Sequence, residues 1–306
     1  MSRITVIGSL NMDLVITAPK VPAVGETILG SGFMTVPGGK GANQAVAAAK
    51  LGAQVSMVGC VGNDIFGRDL INNLENNHVN VENVGVMDGC PTGIAMIVVK
   101  DGDNSIIVDP GANYRLAPQM INAVEELIKS SDIMLIQLEI PQEAVECAVD
   151  IACKNNVRIL LNPAPARQLS DELLAKVDIF TPNESECGII TGMPVKSIED
   201  AKNAAAYLIR KGIKNVIITM GKNGAVYNNG GDIIHKPVPA VKAVDTTAAG
   251  DSFSAAVAVA LSEGKSIDEA VDFGNKVGTL TVMKKGAQTS LPSREDVEAF
   301  NDIASL

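Results

Sequence analysis

From Gln119 to Gly221 the chain alternates short apolar runs with stretches of helical period, and nothing else in it restricts the fold as strongly. A helix over 120–129 precedes a strand over 133–139, and a helix over 142–154 precedes a strand over 157–162. A strand over 179–181 follows, and then a helix over 198–211 leads into a strand over 215–221. Strands separated by helices of that length run parallel, because the crossover returns the chain to the edge where it started. The spacing predicts an α/β fold, a doubly wound and mostly parallel central sheet flanked by helices. Parallel strands end along one edge, and Glu139, Asn162, Asn183, Glu186 and Gly221 fall at or just past those ends. They are therefore expected to converge on one cleft.

The N-terminal third is less regular. A strand over 4–8 ends in Gly8-Ser9-Leu10-Asn11-Met12-Asp13, and a strand over 55–62 leads into a helix over 64–78. Between them a strand over 30–36 enters Pro37-Gly38-Gly39-Lys40-Gly41-Ala42-Asn43-Gln44-Ala45, followed by an Ala-rich helix to Leu51. The run 92–99 is apolar on both faces, turns at Asp101-Gly102-Asp103-Asn104, and resumes over 105–108, the composition of a hairpin. An isolated hairpin is marginal in water, and this one needs cover on both faces. Two readings stand: a small sheet shared with strand 30–36, one face over the cleft and one against a second subunit, or a core strand of the main sheet. The organisation expected is a single domain of 1–306 with a small β lid drawn from about 11–18, 30–37 and 92–109.

Composition excludes several classes. A net charge of −10 is repelled by nucleic acid and by anionic membrane, and the absence of Trp removes the best base-stacking residue. No run is apolar for long enough to span a bilayer, and the N-terminus enters a strand directly, so neither a signal peptide nor a membrane anchor is expected. Five cysteines without C-x-x-C spacing read as the buried thiols of a reduced, cytoplasmic protein. His78 and His235 stand far apart, which argues against a metal cage or a Ser-His-Asp arrangement.

Two motifs carry chemistry. Val244-Asp245-Thr246-Thr247-Ala248-Ala249-Gly250-Asp251-Ser252-Phe253 is a small-residue turn feeding a helix. The free N–H groups of a helix start attract an anion, and Asp251 is placed to take a proton from a hydroxyl attacking it. Read locally, Asp251 serves equally as an ordinary helix cap. The Gly38–Gly41 stretch permits close backbone approach, with Lys40 and Asn43 on one face of the helix start. It is neither a P-loop, having no Ser or Thr after the lysine, nor a G-x-G-x-x-G fingerprint, since Gln44 replaces the third glycine. Asn11 and Asp13 are of the type that grips sugar hydroxyls, or else form a polar turn. Asn183-x-x-Glu186 suits a hydrated Mg²⁺. Gly221-Lys222-Asn223-Gly224 admits a nucleotide against backbone, or is a plain hairpin turn.

The two motifs together, 38–45 and 245–251, in this order and at this separation, resemble the ribokinase-like (PfkB) family of sugar and nucleoside kinases. The resemblance runs from Ile4 to about Pro292. The family usually reads D-T-x-G-A-G-D, so Ala248 departs from the pattern. What the resemblance implies is ATP-dependent phosphorylation of D-ribose at its 5-hydroxyl. Asn11, Asp13, Gly39, Lys40, Asn43 and Glu139 would hold the sugar, and Asp251 would be the base. The N–H groups of Ala249, Gly250 and Asp251 would form an anion hole. Asn183 and Glu186 would serve Mg²⁺ and the phosphates, while Thr219, Gly221, Gly224 and Asn275 would line the nucleotide site. A K⁺-type activating cation is implied at Asp245, Thr247, Thr281, Lys284, Gly286 and Ser290. A homodimer through the β lid is also expected. The alternatives are a family kinase acting on another sugar such as fructose or on a nucleoside, and a catalytically silent sugar sensor.

Overall fold

The computed structural model describes residues 2–100 and 103–304. The chain opens with β1 (Arg3–Ile7) and at once crosses to a different sheet for β2 (Asn11–Thr17) and β3 (Ser31–Gly38). It returns through α1 (Lys40–Lys50), β4 (Gln54–Gly62), α2 (Ile65–Asn76) and β5 (Val79–Met87), then crosses again for β6 (Gly93–Lys100) and β7 (Asp103–Asp109). A 3-10 turn, Gly111–Arg115, brings it back to α3 (Pro118–Ala123), α4 (Glu125–Lys129), β8 (Ile133–Ile136), α5 (Gln142–Lys154) and β9 (Arg158–Leu161). After α6 (Asp171–Lys176), β10 (Ile179–Phe180), α7 (Glu184–Thr191), α8 (Ile198–Arg210) and β11 (Asn215–Thr219) come the short strands β12 (Ala225–Asn228) and β13 (Ile233–Lys236). Three helices close the chain: α9 (Ala249–Ser262), α10 (Ile267–Val282) and α11 (Arg294–Ala304).

The main sheet has nine strands in the order β13-β12-β11-β10-β9-β8-β1-β4-β5. All its pairings are parallel except β11 with β12 and β12 with β13. The order runs outward from β1 in one direction to β4 and β5, and in the other to β8 through β13. The winding therefore reverses between β1 and β8, where a parallel sheet opens a crevice at its carboxyl edge. Side chains alternate between two cores. Ile4, Val6 and Leu135 pack under α1, α9 and α10, while Ile7, Met134 and Ile136 pack under α5 and its neighbours. Burial on both faces is why these strands read as unbroken apolar runs. The middle of α9 is enclosed, with every residue from Asp251 to Leu261 buried.

The second sheet has the order β3-β2-β6-β7, with β2 antiparallel to β3 and parallel to β6. A place in the main sheet is thereby ruled out for the hairpin, since β6 and β7 belong to the small sheet that also holds β3. The turn expected at Asp101-Gly102 lies outside the described residues. The structure also differs locally: α6, α7 and α11 have no counterpart in the expected elements, and the strands expected over 133–139 and 215–221 end at Ile136 and Thr219. The helix expected over 120–129 is two short ones, because Val124 leaves helical dihedrals at φ −108°, ψ 19°. β5 was not anticipated, although Val79-Asn80-Val81 starts with the alternation of a half-exposed edge strand. No described helix is long and apolar enough to cross a membrane.

Candidate active site

The site begins where β1 gives way to β2. Gly39 sits at φ +89°, and a Cβ there would lie 2.6 Å from the main-chain nitrogen of Asn11, so only glycine lets the two segments touch. A Cβ on Gly41 would likewise lie 2.7 Å from the Gly8 carbonyl carbon. This contact lets the 8–11 segment serve the start of α1, with Ala42 N–H donating to the Ser9 carbonyl (2.9 Å). Glu139, just past β8, accepts from the Ser9 hydroxyl (2.5 Å) and from the Lys40 N–H (3.3 Å). A carboxylate thus meets the positive end of α1, a helix with no side-chain cap of its own. The Asn11 amide nitrogen lies 3.5 Å from the same carboxylate oxygen.

Asp251 occupies the first turn of α9, and both of its oxygens are held by amides. Asn43 Nδ2 donates to Oδ2 (3.0 Å) and Gln44 Nε2 to Oδ1 (3.1 Å). Local sequence allowed Asp251 to be a mere cap, but the N-cap is Ala248 and Asp251 accepts from another helix instead. Of the three N–H groups expected to form an anion hole, that of Ala249 donates to the Thr246 carbonyl at 3.2 Å. Those of Gly250 and Asp251 have no acceptor among the described residues. A Cβ on Gly250 would meet nothing within 4 Å, so the space beside these donors is open. The cleft there is lined by Lys40, Asn162, Ala164, Thr181, Asn183, Glu186, Thr219, Thr246 and the Ala248–Asp251 turn.

Carboxylates crowd this cleft. Burial, reinforced by Glu139 and Asp251, pushes Asp13 up to about 7. Burial also raises Glu186 above the ordinary carboxylate value, against the hydrogen bond from Asn183 N–H and the nearby Lys40. Burial alone would lower the Lys40 ammonium, but Asp251, Glu139, Glu186 and Asp13 together hold it above the usual lysine value. One half-buried cation shared among four acids leaves the cleft short of positive charge, an environment that favours a divalent ion and donors of hydrogen bonds.

Asn183 and Glu186 have a structural duty first. They form the capping box of α7, Asn183 Oδ1 accepting from Glu186 N–H (2.8 Å) and Glu186 Oε2 from Asn183 N–H (2.9 Å). The second carboxylate oxygen of Glu186 and the amide nitrogen of Asn183 remain for the cleft, which both residues line. That donor set fits an ion that keeps most of its waters. On the nucleotide side, Thr219 lines the same cleft whereas Gly221 and Gly224 do not. Gly224, at φ +84°, is needed by the hairpin, since a Cβ would come 2.0 Å from the Lys236 carbonyl. Asn275 on α10 is buried, and its amide nitrogen has no partner among the described residues.

The residues implied for a monovalent cation partly assemble. Asp245 Oδ1 accepts from Thr247 N–H and hydroxyl (2.9 and 2.6 Å), and Oδ2 accepts from Gly286 N–H (2.9 Å). Burial would raise Asp245, but these hydrogen bonds hold it below the ordinary value and therefore ionised. Thr281 and Ser290 turn their hydroxyls inward, to the Val277 and Ala287 carbonyls, and Lys284 pairs with Asp296 at 3.7 Å. The Thr281 carbonyl accepts from the Lys284 N–H (3.2 Å), so the Lys284 and Ser290 carbonyls are the atoms left for an ion, and a single ionised carboxylate among carbonyls fits a monovalent one. No cluster of three or more His, Cys, Asp or Glu suited to a metal occurs among the described residues.

Sequence reading passed over several polar residues that the fold brings to this site. Gln137 donates to Gln44 Oε1 (2.6 Å), which forces the Gln44 amide nitrogen toward Asp251 and Asn162 (3.1 Å). Gln288 donates to Asn43 Oδ1 (3.1 Å) and so turns the Asn43 nitrogen toward Asp251 in the same way. Ser9 was quoted only as part of a turn. Gln44 had a signal, its place beside Asn43 in the glycine motif; Gln137, Gln288 and Asn113 had none, being 93 or more residues from the groups they hold.

Comparison with known proteins places the chain. The description of one family, pfkB family carbohydrate kinase, matches residues 1–294. The chain is 46% identical over 299 residues to the ribokinase of Bacillus subtilis, covering 97% of this chain and 99% of that one. It is 43% identical over 302 residues to the ribokinase of Haemophilus influenzae, covering 98% and 99%. The solved structure of Arabidopsis thaliana ribokinase complexed with ribose and ATP matches with a TM-score of 0.91 at 36% identity, covering 98% of each chain.

Proposed function

Because the chain belongs to the pfkB family of carbohydrate kinases, we propose that it transfers the γ-phosphoryl group of ATP to the 5-hydroxyl of D-ribose. The products are ribose 5-phosphate and ADP. The observation that carries this reading is the mouth of α9, where a buried carboxylate stands beside two N–H groups without acceptors among the described residues, in an open cleft.

Asn11, Asp13, Gly39, Lys40, Asn43 and Glu139 hold the sugar so that one hydroxyl meets Asp251. Asp251, aimed by Asn43 and Gln44, takes that hydroxyl's proton as its oxygen attacks the γ-phosphorus. The bond from that phosphorus to the ADP oxygen breaks, and ADP leaves with the electron pair. The N–H groups of Gly250 and Asp251 face the charge on the transferring group, aided by the dipole of α9. Asn183 and Glu186 would hold Mg²⁺ through water, and the ion would supply neutralisation of the phosphate charge. Thr219 and Asn275, with Gly221 and Gly224 at the hairpin, would border the nucleotide. Asp245, Thr247 and carbonyls of the 281–290 segment would hold a K⁺-type ion, which would supply positive potential at the start of the turn that leads to α9.

The second sheet is read as a lid on a single domain, and its outer face as the seat of a second copy of the chain. Five free cysteines suit a reducing, cytosolic setting. An ADP-release assay with ribose, 2-deoxyribose and fructose tests the substrate. Ribose-dependent ADP is expected, and its absence would sink the reading. D251N should lower kcat by about 10²-fold or more while leaving ribose affinity within about tenfold.

A further inference from the structure

Asn113 lies in the turn Gly111–Arg115 and is 1% exposed. It is remote in sequence from every residue assigned to the cleft, yet it grips one of them. Its Oδ1 accepts from Leu10 N–H (2.9 Å), and its Nδ2 donates to the Leu10 carbonyl (3.0 Å) and to Asn11 Oδ1 (2.7 Å). A backbone N–H only donates and a carbonyl only accepts, so this reciprocal pair decides which end of the Asn113 amide is which. Both hydrogens of its NH₂ are then assigned. The Asn11 atom that meets Nδ2 must be the oxygen. The NH₂ of Asn11 is left on the other side, toward Glu139.

Gly93 belongs to the same arrangement. A Cβ there would lie 2.3 Å from Asn11 Oδ1 and 2.4 Å from Asn113 Nδ2, so glycine leaves the room the pair needs. Two of the chain's crossings between the two sheets, at 8–10 and 110–117, thus meet the first residue of β6 around one buried amide.

We propose that Asn113 is a positioning residue for sugar recognition, which locks the Asn11 amide with its NH₂ toward the substrate. At that point the site can only donate, so the hydroxyl facing Asn11 accepts there and directs its own hydrogen elsewhere. Asp13 and Glu139, acceptors when ionised, are the partners for sugar hydroxyl hydrogens. A freely turning amide would present either end and discriminate less. This inference rests on the sugar-kinase reading above.

Asn113→Asp is nearly isosteric and keeps the acceptor for Leu10 N–H, but it loses both donors. The Asn11 amide then turns its NH₂ toward residue 113 and its oxygen toward the sugar. The expected result is a ribose Kd, by calorimetry, weakened about tenfold or more, since the sugar hydroxyl placed to accept from the Asn11 NH₂ now faces another acceptor. kcat at saturating ribose should stay within about threefold and the KM for ATP within about twofold. If Asn113 acts through Asn11, N11A/N113D should bind ribose no worse than N11A alone. A merely structural role predicts additive losses, or a lowered unfolding midpoint with an unchanged ribose Kd, and either would overturn the proposal. Should N113D fail to fold, N11D keeps the contact to Asn113 and replaces only the NH₂ facing the sugar. An unchanged ribose Kd in N11D would refute the orientation claim. Wild-type protein that neither binds nor phosphorylates ribose sinks both readings; ribose turnover with an unchanged Kd in N113D sinks this one alone.

Discussion

Ala248 has φ +61°, in the left-handed region where a Cβ costs about 1–2 kcal/mol, and it is the N-cap of the helix that carries Asp251. The motif usually has glycine at this position, and the turn keeps glycine's conformation with an alanine in it. Ala248→Gly should raise the free energy of unfolding by roughly 0.5–1 kcal/mol once the greater chain entropy of glycine is subtracted. A denaturant midpoint that falls would show that the turn has adapted to alanine. Asp13 is the other residue with a measurable signature. Its pKa of about 7 against an ordinary 3.8 means that the folded chain binds the extra proton between those values. Its contribution to stability is therefore full below about pH 4 and lost as pH rises toward 7, and D13N should flatten that part of the stability profile. Ribose binding should run the other way, weakening below about pH 7 as the carboxylate that accepts from hydroxyls is protonated. Calorimetry at pH 5.5 and 7.5 checks this, and an identical Kd would contradict it.

Elements owe their positions here to residues that serve two purposes. The capping box of α7 uses Asn183 and Glu186, and the same two side chains line the cleft. Variants can separate the roles. Asn183→Ala removes the cap acceptor and should cost about 1 kcal/mol of stability. Glu186→Gln keeps an oxygen for the Asn183 N–H while removing the charge, so its stability should stay within about 0.5 kcal/mol and its Mg²⁺ requirement should rise about tenfold. Equal Mg²⁺ dependence in E186Q and wild type would free Glu186 from any part in holding the ion. The start of α1 shows a similar economy, with the Glu139 carboxylate standing where a cap would be and facing the sugar side as well.

At the scale of the whole molecule, the second sheet leaves large apolar side chains in solvent. Met96 on β6 and Ile107 on β7 are register partners and are 53% and 72% exposed, and Phe33, on β3 across β2 from them, is 65% exposed. Isolated exposed residues are ordinary, but adjacent ones on a sheet face mark a contact surface. We expect a homodimer by sedimentation at micromolar concentration, and a shift toward monomer in I107E. Wild-type protein that sediments as a monomer would remove the second copy from the account.

Much of this architecture was legible because it follows from short-range rules. The period of the apolar runs determined that the sheet is parallel, and with it that Glu139, Asn162, Asn183 and Glu186 gather at one edge. The glycines at 38, 39 and 41 announced a close backbone approach, and the small residues before Asp251 announced a bare helix mouth. What the glycines approach was not legible, since Gly41 meets Gly8 across 33 positions. The amides that orient Gln44, Asn43 and Asn11 come from Gln137, Gln288 and Asn113, whose local sequence is that of any strand end or loop. A hydrogen bond across a hundred residues leaves no period and no spacing behind it. Only the packing of the two sheets decides which atom of an amide must face the substrate.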